Sequence, residues 1–157
     1  MAIASLQTKG VRLVEVQVAG GFDKLFIIVE AEPEDGVTDS FAGSGLAVSL
    51  VKPVRLIGQQ ERDVQADKDG VNYVVEWNLP SNLTMEQYLE RKTNNSVHYA
   101  EVPEVTFSRT YVCEDMSKCL CFYKAPDEAA VRRARDAVKA PIDAITALAA
   151  EAVRNDD

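Results

Sequence analysis

The order of predicted strands and helices in the C-terminal half constrains the fold of this chain more than any other feature. The run YVVEW at 73–77 predicts a strand, and Thr84 with Gln87 fits a capping box that begins a helix. A tight turn joins two further strands, and Pro141 ends a second helix. The strands are predicted over 73–77, 105–113, 119–123 and 142–148, and the helices over 84–99 and 126–140. The order is therefore β-α-β-β-α-β.

This is the ferredoxin-like order, whose sheet carries helices on one face only. The N-terminal part repeats the last four elements of the pattern, β-β-α-β, because sliding the sequence by 94 residues without a gap places Lys24 on Lys118 and Glu34 on Glu128. Its strands are predicted over 11–19, 25–29 and 48–57, with a helix between Pro33 and Gly43. The alternative is that ββαβ segments resemble one another by patterning alone.

We therefore predict an α+β protein in which a truncated ββαβ repeat precedes a complete ferredoxin-like βαββαβ unit. An exposed apolar sheet face is unstable in water, so we expect the two sheets to pack face to face, as in an α/β-barrel. The predicted units are the truncated repeat over 1–58, a polar linker over 59–71, the ferredoxin-like domain over 72–150 and a polar tail over 151–157.

Charge and hydropathy exclude two classes of partner. The 157 residues carry a formal net charge of −8, whereas nucleic-acid binding depends on clustered Lys and Arg, so we expect no nucleic-acid partner. No apolar run approaches the roughly 18 residues of a membrane span, and the N-terminus lacks a signal-peptide pattern, so we expect a cytoplasmic protein without a membrane partner. Three cysteines are then expected to be reduced.

The three cysteines lie within nine residues, which raises the question of a metal or redox site. We favour small apolar strand residues, because free cysteine is among the most buried residue types. The alternative is a soft-metal site formed by Cys113, Cys119 and Cys121, although the spacing lacks the two separated ligand pairs of a typical zinc site. A redox role has less support, since there is no C-x-x-C motif.

Side-chain alternation predicts a ligand site on the open face of the sheet. Val112, Leu120 and Phe122 are expected to face the helices, which leaves the alternate residues on the other face. The candidate ligand-binding set is Glu76, Arg109, Tyr111, Cys121 and Tyr123. Arg109 is either the buried salt-bridge partner of Glu76 or the group that holds a small anion in a pocket walled by aromatic side chains.

Other charged residues are expected to be solvated. His98, the only histidine, lies near a predicted helix end. Arg132, Arg133 and Arg135 are interpreted as the wet face of the last helix. No nucleotide-binding or hydrolase motif is present.

A set of short motifs carries a resemblance to a known family. These motifs are the strand that contains Glu76, the YV-x-ED turn at 111–115, Cys121 followed by two bulky residues and Ala125-Pro126, the helix start near Glu128, and P-x-D-x-I at 141–145. The C-terminal part thereby resembles a small ferredoxin-like family whose members are often labelled nickel-binding protein. The resemblance implies a bound metal, nickel or zinc. Members often carry His where this chain has Arg109, which does not coordinate metals.

These observations lead us to expect a small binding module with a metal-ion or small-anion pocket on the open sheet face. One alternative is a cofactor-free enzyme of the dimeric α/β-barrel type, a small oxygenase or isomerase in which His98, Glu76 or Tyr111 moves protons. Another is a purely structural interaction module. We also expect a homodimer, because the short N-terminal unit leaves strand edges that a second chain can pair.

Overall fold

The computed structural model describes residues 12–30, 47–58 and 70–149. These residues form seven strands, two α-helices and one 3₁₀-helix, so the predicted α+β class is confirmed. The strands are β1 (Arg12–Val18), β2 (Leu25–Glu30), β3 (Val54–Ile57), β4 (Tyr73–Asn78), β5 (Thr106–Cys113), β6 (Lys118–Lys124) and β7 (Ala144–Ala147). The helices are α1 (Met85–Asn95), the 3₁₀-helix (Ser96–Glu101) and α2 (Glu128–Ala137). The helix predicted between Pro33 and Gly43, most of the linker and the tail lie outside the described residues.

Strands β3 to β7 form one antiparallel sheet in the order β3-β5-β6-β4-β7. Without β3, this order is compatible with a ferredoxin-like β4-α1-β5-β6-α2-β7 unit. Strand β3 adds a fifth strand at the β5 edge and begins only after Pro53, since proline has no N–H to donate to a ladder. Strands β1 and β2 pair separately as a two-stranded antiparallel sheet.

The capping box predicted for α1 is present. The backbone N–H of Gln87 donates to the Thr84 hydroxyl at 3.1 Å, and the backbone N–H of Thr84 donates to the Gln87 side chain at 3.0 Å. The helix ends earlier than predicted, at Asn95, and continues as the 3₁₀-helix. Helix α2 is capped by Asp127, whose carboxylate accepts from the N–H of Ala130 at 2.8 Å.

One face of the large sheet packs against both helices. Val112 of β5 lies there, as predicted, together with Val75 and Trp77 of β4. They contact α2 through Val131 and Ala134, which are fully buried. Burying such apolar surface is the main favourable term in folding, so this layer forms the principal core.

The hairpin β1–β2 covers the opposite face of the large sheet. Phe26 and Ile28 of β2 pack there against Val74, Tyr111 and Phe122. A second, smaller core therefore fills the space between the two sheets, where the open-face pocket had been predicted.

The predicted orientation of β6 is wrong. Cys119, Cys121 and Tyr123 face the helices, whereas Leu120 and Phe122 face the hairpin. Both faces of this strand are covered, so both carry apolar side chains and apolar character cannot distinguish them. In β5, a register shift between Phe107 and Arg109 sends Phe107 to the helix side, although simple alternation groups these two residues.

Candidate functional site

A buried ion pair connects the hairpin to the large sheet. Nη2 and Nε of Arg109 donate to the carboxylate of Glu15 at 2.6 and 3.0 Å, and the Tyr111 hydroxyl donates to the same carboxylate. Both charged side chains are almost fully buried, with 2% and 8% exposure. Burial and the neighbouring Glu15 carboxylate raise the pKa of Tyr111, so its hydroxyl remains a donor.

Glu76 is not the partner of Arg109, contrary to one of the two predicted roles. Its carboxylate accepts from Lys118 at 2.9 Å and from Lys24 of the hairpin at 3.1 Å. Burial by itself raises the pKa of Glu76, but the hydrogen bonds from the two lysines outweigh this effect and lower it. Glu76 and Arg109 therefore belong to two separate ion-pair clusters, each of which attaches the hairpin to the sheet.

The structure divides the predicted ligand-binding set between the two faces of the sheet. Glu76, Arg109 and Tyr111 face the hairpin, whereas Cys121 and Tyr123 face the helices. The five residues therefore do not line one common pocket on the open face. The reason is the β6 orientation described above.

The three thiols also do not form one cluster. The Sγ atoms of Cys119 and Cys121 lie 4.0 Å apart on the helix face. Cys113 is buried one residue after Val112, which faces the helices, so alternation turns it to the other face. His98 pairs with Glu101 at 2.6 Å on the surface. In the described ranges, no group of three or more His, Cys, Asp or Glu side chains is arranged to hold a metal ion.

A cavity of about 40 Å³ lies on the helix face of the sheet, in contact with the Cys121 side chain. Strands β4 and β6 form its floor, and α1, the 3₁₀-helix and the end of α2 form its walls. Its lining residues are Trp77, Tyr88, Arg91, Lys92, Asn95, Ser96, Tyr99, Cys121, Arg135, Val138 and Ala140. The lining includes three cations and no carboxylate.

Arg135 is the most unusual residue of this cavity. It is 2% exposed, so its interpretation as part of the wet face of α2 is wrong. Nη1 donates to the Tyr123 hydroxyl at 3.0 Å and Nη2 donates to the carbonyl of Pro141. Its Nε is buried and has no hydrogen-bond partner within the described ranges. A buried polar group without a partner costs about 1–3 kcal/mol, and more when it is charged.

The cavity strongly perturbs its titratable groups. The hydrogen bond between Cys119 and Cys121 lowers the pKa of Cys121 against the opposing effect of burial, and the Arg135 and Lys92 charges lower it further. The same hydrogen bond, together with burial, raises the pKa of Cys119. Burial and the Cys121 charge raise the pKa of Tyr99 to about 12. The arrangement therefore favours negative charge on Cys121 and keeps the surrounding hydroxyl groups protonated.

Sequence reasoning missed Arg135 and Lys92 as site residues. A signal for Arg135 was available, because it follows the apolar residue Val131 by four positions and so lies on the same side of α2. Lys92 is on α1 and places its ammonium 4.2 Å from the Phe107 ring centroid.

Comparison with known proteins connects part of this chain to a family. No helix within the described ranges has the length and apolar character needed to cross a lipid bilayer. No curated protein matches the chain, and no solved structure matches it. Residues 73–148, which contain the cavity and the thiol pair, match the family model described as nickel responsive protein SCO4226-like, and this match confirms the resemblance over the C-terminal part.

Proposed function

We propose that this protein is a small binding module that takes a small inorganic anion into the cavity lined by Lys92, Cys121 and Arg135. The observation that supports this proposal best is the buried Nε of Arg135, which no described residue accepts from. Buried charges are normally paired, and an anion in the cavity satisfies both the free donor and the excess positive charge.

The size of the cavity sets the class of ligand. A volume of about 40 Å³ exceeds the roughly 10–15 Å³ that one water molecule needs. It is far below the roughly 300–1,000 Å³ of pockets for organic ligands. A halide or a small oxyanion therefore fits, and a metabolite of ordinary size does not.

Nickel is the second candidate, because the matching family is described as nickel responsive and two thiols lie 4.0 Å apart. The donor set of the described residues fits a nickel ion poorly. It offers two soft ligands, Cys119 and Cys121, without a nearby imidazole or carboxylate. The adjacent Lys92 and Arg135 charges also repel a dication. We therefore rank the anion first.

We further propose that the N-terminal part is a truncated copy of the ferredoxin-like unit. Glu15 and Arg109, which form an ion pair, are 94 positions apart. Other contacts between the two parts support the proposal because they occur in pairs, and each residue in one contact is 94 positions from a residue in the other. Ala19 bridges Leu148, and Val54 bridges Cys113. The N–H of Gly20 donates to the carbonyl of Ala147 at 2.7 Å, and the N–H of Glu114 donates to the carbonyl of Pro53 at 2.9 Å. Such reciprocal contacts are expected of two copies related by an approximate two-fold axis.

Thermal unfolding in different sodium salts at constant ionic strength tests the anion proposal. Chloride, bromide, nitrate and formate are compared with a bulky organic sulfonate that is too large to enter. An anion present at ten times its Kd adds about 1.4 kcal/mol of stability, which raises the Tm by roughly 3–6 °C for a chain of this size. The increase should disappear in Lys92→Gln and Arg135→Gln. Arg132→Gln is the matched control, because Arg132 lies on the same helix but pairs with Glu128 on the surface. An equal Tm in all salts contradicts the proposal.

Titration with Ni²⁺ tests the second candidate through thiolate-to-nickel absorption. We expect affinity in the micromolar range or weaker, because two thiols form an incomplete ligand set. Tight stoichiometric binding that is lost in Cys119→Ala and Cys121→Ala, but retained in Cys113→Ala, would reverse our ranking.

A further inference from the structure

The pair of thiols on β6 can take part in redox chemistry, which the proposed anion binding does not involve. Cys121 forms part of the cavity wall, and the Cys119 Sγ lies 4.0 Å away along the same strand. The hydroxyl of Thr110 donates to the Cys121 Sγ at 3.3 Å. The rim of the cavity includes the exposed residues Arg91 and Ser96, so a small neutral molecule can reach the buried sulfur from solvent.

The surroundings of Cys121 stabilise a thiolate. The Thr110 hydroxyl donates a hydrogen bond to its sulfur, and the Cys119 Sγ lies within contact distance. The contact with Cys119 and the charges of Arg135 and Lys92 place the pKa of Cys121 well below its ordinary value despite burial. Cys113 is also buried, but it is on the other face of the sheet, away from this cavity. A thiolate is the nucleophilic form of cysteine, so the reactivity of the two sites should differ.

We propose that Cys121 is a peroxide-reactive cysteine and that Cys119 is its resolving thiol, with hydrogen peroxide or another small hydroperoxide as the co-substrate. Hydrogen peroxide is neutral and similar in size to two water molecules, so it fits the cavity that the proposed anion also occupies. The proposal depends on the cavity and on the thiol pair, and it does not require a bound anion.

The reaction balances in two steps. The Cys121 thiolate attacks one peroxide oxygen, the O–O bond breaks, and the departing hydroxide takes a proton to form water. The sulfur is oxidised to a sulfenic acid and the peroxide is reduced. Cys119 then loses its proton and attacks the Cys121 sulfur, the S–O bond breaks, and the hydroxyl group leaves as a second water molecule. The product is a disulfide between Cys119 and Cys121.

Strand geometry makes this disulfide easy to reduce. Residues two apart on a strand have Cα atoms about 6.6 Å apart, because each residue advances about 3.3 Å. This separation lies at the upper end of the roughly 4.4–6.8 Å range found for disulfides, and strained disulfides are the more reducible ones. An external thiol in excess, acting as the reductant, can therefore return the pair to the two thiols by thiol–disulfide exchange.

Treatment of the full chain with hydrogen peroxide, followed by thiol alkylation, trypsin digestion and mass spectrometry, tests the proposal. Cleavage after Lys118 and Lys124 leaves Cys119 and Cys121 together on one peptide, whereas Cys113 falls on the preceding peptide as an internal control. We expect the two-cysteine peptide to lose two hydrogens at least about tenfold faster than Cys113 is oxidised, because Cys121 lines the cavity and accepts a hydrogen bond from Thr110, whereas Cys113 does not line the cavity.

Two variants separate the roles of the thiols and the charges. Cys119→Ser should stop at the sulfenic acid, which a dimedone adduct on Cys121 reveals. Lys92→Gln should slow the oxidation of Cys121, whereas the surface control Arg132→Gln should not change it. Equal oxidation rates for Cys121 and Cys113 in the wild-type protein, or no effect of Lys92→Gln, would overturn the proposal. If Cys121 is oxidised rapidly but no anion raises the Tm, the anion proposal is refuted and the peroxide proposal is not.

Discussion

Replacement of Arg109 by methionine should destabilise the protein severely. The side chain of Arg109 is 2% exposed, and its guanidinium provides two of the hydrogen bonds to the buried Glu15 carboxylate, at 2.6 and 3.0 Å. Its removal leaves that carboxylate with neutral donors such as Tyr111 and the Gln17 amide, which lies 2.9 Å away. Removing one partner of a buried ion pair lowers the free energy of unfolding by about 3–5 kcal/mol, because the remaining charge stays buried without compensation. The whole fold is expected to be stable by only about 5–15 kcal/mol.

Thermal unfolding of a set of variants measures this effect. At about 2–4 °C per kcal/mol, Arg109→Met should lower the Tm by roughly 6–20 °C. The matched control is Arg55→Met, which removes an exposed pair between Arg55 and Glu114 at 3.1 Å and should cost about 1 kcal/mol or less. The double variant Glu15→Leu/Arg109→Met should be more stable than the sum of the two single losses indicates, because neither charge then remains alone.

If Arg109→Met costs no more than Arg55→Met, or if the two single losses simply add, the pair does not hold the hairpin to the sheet. The contact between the two sheets would then depend on Phe26, Tyr111 and the other apolar side chains between them.

Three further predictions concern pH, helix capping and assembly. The pKa of Glu76 is lower in the folded chain than in the unfolded chain. Its ionised form therefore stabilises the fold at pH values above the unfolded pKa of about 4.3, and this stabilisation is lost as the pH falls through the folded pKa. Melting curves from pH 6 to pH 3 should show a smaller decrease in Tm for Glu76→Gln than for the wild type. Thr84→Ala should lower the free energy of unfolding in urea by about 1 kcal/mol, because it removes the cap of α1. Thr93→Ala, within the same helix, should change it only by the small difference in helix propensity. Light scattering should give twice the chain mass of 17.2 kDa, and Val51→Lys should lower that mass.

Local signals in the sequence predicted the element order of the C-terminal unit well. The capping box at Thr84, the prolines and the turn between β5 and β6 act over a few residues, so they can be recognised without the tertiary structure. In that turn Met116 adopts a positive φ of 62°, which the sequence did not indicate. The end of α1 was placed four residues too late, since the chain continues as a 3₁₀-helix without a clear stop signal.

Tertiary partners could not be predicted in the same way. The partner of Arg109 lies 94 positions away in β1 of the hairpin, and Glu76 was the nearer acid in the predicted sheet. The β6 alternation was recognised, but which face met the helices depended on the packing of two apolar layers. Consequently the candidate site moved from the space between the sheets to the cavity under the helices, although Cys121 and Tyr123 remain close to it.

The apolar segment that precedes β3 links the proposed repeat to the expected homodimer. The shift of 94 residues that relates Glu15 to Arg109 makes 50–53 the counterpart of β7, and β7 pairs with β4. No described strand pairs with 50–53 in the same manner, and Val48, Leu50 and Val51 are 42%, 53% and 42% exposed. An exposed apolar strand edge is a template for pairing with another chain. We therefore expect the same proposed truncation that leaves this edge open to give a second copy a place to bind.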